Sequence, residues 1–164
     1  MKKIVLLLIA AAIVYATFFT EKARLDREVD RLCAIDGGIK VYETVALPAD
    51  KFDKSGRINF YEPTKKIEDT LGPEYIYQWN THYYMKGDPV SQGAQEVIMA
   101  RDHIQVFQKL GMKLLGELVT YHRVGGDLPG PWMPSSYHCP DKSVTRELLL
   151  LNHIFVKSIE RNEK

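Results

Sequence analysis

Two runs of similar length, Glu96 to Gln108 and Met112 to Val124, flank the pair Leu110-Gly111. Glycine supplies the positive φ of a tight reversal, so the two runs predict a long antiparallel hairpin. Strands this long constrain the fold more than any other stretch, because whatever else the chain forms must cover their faces. Counting outward from the turn sets Phe107 opposite Leu114, Gln105 opposite Gly116, His103 opposite Leu118 and Arg101 opposite Thr120. Val106/Leu115 and Asp102/Val119 then fall on the reverse side. A slip of one residue would invert these assignments.

Further strands join the hairpin. Tyr75 to Met85 alternates, with Tyr75, Tyr77, Trp79, Tyr83 and Met85 on one side, which predicts a strand whose aromatic face is core rather than a stacking platform. Ile39 to Leu47 alternates as a half-buried strand, except that Glu43 leans inward as a catalytic candidate or a guard against edge pairing. Pro48 to Pro73 reads as a long connection with at most a short strand at Ile58 to Tyr61. Ser143 to Leu151 predicts a helix capped by Ser143, and His153 to Lys157 a last strand. The fold class is α+β: a leading membrane and stalk helix, then a small antiparallel sheet of four or five strands.

Ahead of the sheet, Met1-Lys2-Lys3 precedes the uncharged apolar run Ile4 to Phe19. Its length lies between a signal-peptide core and a bilayer span, and its continuation through Phe19 favours an uncleaved anchor. This reading makes residues 1–19 a transmembrane anchor (or signal peptide), 20–36 a stalk helix and 37–164 a periplasmic domain. The chain would then cross a bacterial inner membrane once, through residues 4–19, with the domain facing the periplasm. Leu25, Val29, Leu32 and Cys33 line one stripe of the stalk, and Asp36-Gly37-Gly38 ends it. In an exported chain, the two cysteines, Cys33 and Cys139, read as a disulfide.

Gly125 to Cys139, GGDLPGPWMPSSYHC, cannot be helix or regular strand, because Pro lacks the amide donor and Gly favours turns. It is a shaped loop. Asp127, Trp132, Ser135, Ser136 and His138 are its candidate binding residues, the alternative being that Trp132 plugs the core.

Chemistry elsewhere is thinly signalled. With 22 basic and 21 acidic residues there is no electrostatic footprint for nucleic acid. Of the five histidines, His82, His103, His122, His138 and His153, no pair has metal-ligand spacing. The hairpin count puts His103 and His122 on one face but roughly 13 Å apart at about 3.3 Å per residue. Ser135 and Ser136 precede His138 without a G-x-S-x-G elbow, and no phosphate-binding glycine motif follows a strand. No cofactor is called for.

Leu32-Cys33, Asp36-Gly37-Gly38, Val41-Tyr42-Glu43, Lys113-Leu114-Leu115-Gly116-Glu117 and the loop Gly125-Gly126-Asp127-Leu128-Pro129-Gly130-Pro131-Trp132 through Pro134-Ser135-Ser136-Tyr137 to Cys139 give the chain a likeness. Over residues of about 30 to 139 it resembles a family of short uncharacterised bacterial proteins that begin with one apolar segment. The resemblance implies an envelope setting and a shared fold, and it carries no activity.

Two functions follow. One is a membrane-anchored, non-enzymatic periplasmic module presenting the loop to an envelope protein partner. The other is a small periplasmic hydrolase or metal-dependent enzyme using Glu43, Asp102 or a histidine. An enzyme requires these polar groups to converge in one concavity, and a binding module does not.

Overall fold

The structure is a computed structural model that describes residues 2–18, 21–64, 66, 70–85, 97–127, 133–141 and 147–158. In chain order the elements are α1 (Lys2–Phe18), α2 (Glu21–Asp36), β1 (Gly38–Val41), β2 (Val45–Leu47), a 3-10 turn (Ala49–Lys51), β3 (Tyr75–Met85), β4 (Ile98–Gln108), β5 (Lys113–Val124), β6 (Ser136–Cys139), α3 (Glu147–Ile154) and β7 (Phe155–Lys157). The fold is α+β around a five-stranded antiparallel sheet in the order β1-β5-β4-β3, with β6 also paired to β5. β1 takes residues 116–119 of β5 and β6 takes residues 121–124, so the two short strands lie end to end along one edge of β5.

The expected membrane anchor is corrected. α1 has 17 residues, about 25 Å of helix at 1.5 Å per residue, short of the roughly 30 Å hydrocarbon layer. No helix among the described residues is long and apolar enough to cross a membrane. That overturns the single-pass inner-membrane placement with a periplasmic domain, and with it the membrane as a partner through residues 4–19. The stalk helix α2 packs on the sheet. Leu25, Val29 and Cys33 are buried with Met99, Val119 and Tyr121 on one face of the sheet, hereafter the back face.

The front face carries the larger core. Tyr75, Tyr77, Ile104, Val106, Leu115 and Leu118 pack under Leu150, Leu151, Ile154 and Phe155, with Ile58 and Leu71 from the long connection. Gly116 allows α3 to come this close, since a Cβ there would lie 3.0 Å from both Ile154 Cδ1 and the Lys40 carbonyl oxygen. The segment Ile39 to Leu47 is two strands in different sheets. β1 joins the main sheet, whereas β2 pairs in parallel with β7, which continues straight from α3.

The hairpin turns at Gly111 and Met112, both at positive φ. Phe107 faces Leu114 as counted, but the next pair is Val106 and Gly116, so Leu115 is an extra residue without a partner on β4. Beyond this bulge every pair differs from the simple count: Gln105 faces Glu117, His103 faces Val119, Asp102 faces Thr120 and Arg101 faces Tyr121. One inserted residue moves each later side chain of β5 to the other face relative to β4. His103 and His122 therefore lie on opposite faces, and His122 joins Asp102 on the front.

Candidate active site

Past Trp79, Ile104 and Leu118 the front face is no longer covered by α3, and a cavity of about 740 Å³ opens there. Its floor is the sheet: Trp79 from β3, Asp102 from β4, Thr120 and His122 from β5, Ser136 and His138 from β6. Tyr61, Pro63, Glu147 and Leu148 form the opposite wall.

The register brings the polar groups together. Thr81 and Thr120 flank Asp102 on the two neighbouring strands, and His122 lies two residues beyond Thr120 on the same face. That diagonal places His122 Nδ1 3.2 Å from Asp102 Oδ2. The other carboxylate oxygen accepts from Thr81 Oγ1 at 2.6 Å and Trp79 Nε1 at 3.2 Å. Burial pushes the Asp102 carboxyl up, but hydrogen bonds from His122, Thr81 and Trp79 together outweigh it and hold the pKa below the usual carboxylate range. In the neutral ring, an ionised carboxylate at Nδ1 favours the tautomer with Nδ1–H donating, which makes Nε2 the basic nitrogen. On β6, His138 is paired with His122, and the two rings stack with centroids 5.6 Å apart.

On the far wall the Tyr61 hydroxyl donates to Glu147 Oε2 at 2.5 Å. Burial, then Glu147, raises the pKa of Tyr61. Tyr77, beneath the same carboxylate, is likewise raised, by burial first and Glu147 second.

The residues singled out in the Gly/Pro loop separate into two groups. Ser136 and His138 line the cavity. Asp127 and Ser135 instead form a clasp: Ser135 donates to Asp127 through its backbone N–H at 2.6 Å and its hydroxyl at 2.8 Å, and Lys22 Nζ of α2 reaches Asp127 at 2.8 Å. The Lys22 ammonium and the Ser135 donors hold the Asp127 carboxyl at about 2. Trp132 lies outside the described residues. Cys139 is bonded to Cys33, with Cα atoms 5.9 Å apart, and this disulfide ties α2 to β6 on the back face.

Glu43 is not part of the cavity; it pairs with Lys113 at the surface. His103 faces the back, 2.7 Å from Glu117, which also accepts from the Tyr42 hydroxyl at 2.6 Å. His82 packs edge-on against Tyr84, and His153 is exposed on α3. Among the described residues no three His, Cys, Asp or Glu side chains are grouped to hold a metal ion.

The simple strand count missed the pairing of Asp102 with His122. Its signal was local: adjacent Leu114 and Leu115 followed by Gly116 break the alternation just where the bulge forms. The convergence of Asp102, His122 and His138 in one concavity also corrects the reading as a membrane-anchored, non-enzymatic binding module, and it favours the enzymatic alternative. No family model, curated protein or solved structure matches the chain.

Proposed function

We propose that the protein is a small hydrolase working by general acid–base catalysis, with His122 as base and Asp102 as the residue that orients it. The observation that carries this is the 3.2 Å contact between Asp102 and His122 Nδ1 in the lining of an open cavity. His122 Nε2 takes a proton from water, and the hydroxide attacks the carbonyl carbon of a bound ester or amide. Collapse of the tetrahedral adduct breaks the bond to the leaving oxygen or nitrogen, which takes up the proton that the His122 imidazolium gained from water and so restores the neutral base. The products are a carboxylic acid and an alcohol or amine. Water is preferred to Ser136 as nucleophile because Ser136 makes no hydrogen bond to His122 among the described residues, whereas a serine nucleophile needs its base within reach.

A panel of chromogenic esters and anilides tests this. His122→Ala should lower kcat/KM by about 10²- to 10⁴-fold, the range typical of a positioned base, and Asp102→Asn should lower kcat more than it changes KM. Hydrolysis that survives both substitutions at the wild-type rate would overturn the assignment.

A further inference from the structure

We propose that the free edge of β3 is the interface of a two-fold homodimer, in which β3 pairs antiparallel with β3 of a second copy. The strand has β4 on one side and no strand on the other among the described residues. It is 11 residues long and carries no Asp, Glu, Lys or Arg. The stretch Gln78 to Tyr84 is exposed throughout. Edge strands that stay single are usually short, charged or interrupted by proline, and this one is none of these except that Tyr84 bulges out of its pairing with β4.

The sequence itself names the occupant. Read about Asn80, Gln78 mirrors His82 and Tyr77 mirrors Tyr83, while Trp79 is mirrored by the smaller Thr81, so an antiparallel copy centred there brings uncharged, sterically compatible residues together. Asn80 meets its own copy on the axis. Gln78 then faces His82, polar against polar on the back face, and Tyr77 faces Tyr83, aromatic against aromatic on the front. An isologous two-fold contact requires this self-complementarity, and the lack of charge removes the like-charge repulsion that would oppose it. Trp79 of each copy comes opposite Thr81 of the other, next to the hydroxyl that holds Asp102. The rim of each cavity would therefore be completed by the partner copy.

Sedimentation equilibrium of the full chain tests the pairing without reference to any activity. Wild type should sediment as a dimer. Asn80→Lys sets two lysines face to face on the axis and should weaken association by about tenfold or more, with its far-UV circular dichroism unchanged because residue 80 is exposed and the monomer fold does not depend on it. As an independent readout, Asn80→Cys should form a covalent homodimer under mild oxidation, while Ser55→Cys, exposed on a turn outside the sheet, should not. A wild-type monomer from micromolar to millimolar concentration would overturn the proposal. So would a dimer that Asn80→Lys leaves intact, or equal cross-linking at residues 55 and 80.

Discussion

The two faces of one sheet treat polar residues differently. On the back, the buried Arg123 and the half-buried Arg101 are matched to another element, α2, while His103 and Glu117 pair within the sheet under a further hydrogen bond from Tyr42. Arg123, 1% exposed, binds Asp26 of α2 through Nε at 2.5 Å and caps the Gly125 and Ser135 carbonyls. Arg101 and the Tyr121 hydroxyl together hold Asp36 at the end of α2, at 2.8 and 2.6 Å. On the front, Asp102 and His122 satisfy each other from within the sheet, and among the described residues the layer above them leaves a cavity. Burial with partners from a second element builds structure, whereas pairing beside open space leaves reactive capacity in place. Substitutions on the back should therefore cost stability, and those on the front should cost chemistry.

The largest effect crosses between the faces. Cys33 and Cys139 stand 106 residues apart in sequence. Replacing both with Ser should destabilise the fold by about 4 to 5 kcal/mol in the chain-entropy model. The bond also holds β6, whose other face delivers Ser136 and His138 to the cavity, so the variant should lose hydrolysis under conditions where it is still largely folded. Urea denaturation with parallel assays checks this. A variant of full activity and reduced stability would show that the front-face site does not depend on the disulfide.

Arg123→Ala is the next largest. It leaves Asp26 and two carbonyls without their buried donor and should cost about 3 to 5 kcal/mol, read from the urea midpoint. A loss under about 1 kcal/mol would equate this pair with a surface ion pair and remove the contrast.

The smallest effect is a pH dependence. The Asp127 carboxyl is held near 2 in the folded chain against an ordinary value of about 3.9. A depressed folded pKa contributes stability that is fully present above the unfolded value and is lost as pH falls through the folded one. The clasp should thus weaken between about pH 4 and pH 2, and Asp127→Asn should flatten the acid limb of the melting curve in that window. An unchanged acid limb would show that Lys22 and Ser135 do not hold the carboxylate.

Much of this contrast could be read from residues alone, and the part that could not has a physical cause. The alternation in Tyr75 to Met85 and the helical stripe of Leu25, Val29 and Cys33 made β3 and α2 legible as elements, although of the aromatic face of β3 only Tyr75 and Tyr77 are buried and Trp79 and Tyr83 are exposed. The Cys33–Cys139 pairing was legible from count. Register was not, because period-2 alternation is blind to an inserted residue until partners are known, and Leu115 shifts every later pair. The break between β1 and β2 was hidden for a similar reason. Val45 and Leu47 keep the alternation of Ile39 and Val41 while leaving for a parallel partner, β7, more than 100 residues away. Trp79 looked like core with Tyr75 and Tyr77, yet it is 44% exposed because the cover ends one residue pair earlier. The apolar run at the start misled for a reason of length: 17 helical residues have the composition of a span without its reach.

The central claim is that the bulge at Leu115 delivers His122 to Asp102 in a fixed tautomer, ready to act as a base. Long-range ¹⁵N–¹H correlation NMR of ring-labelled histidine reads this directly. In neutral His122 the proton should reside on Nδ1 with Nε2 bare, and Asp102→Asn should abolish that preference while His103, on the opposite face, keeps its own signals. A His122 protonated on Nε2, or one indifferent to the Asp102 substitution, would contradict the account.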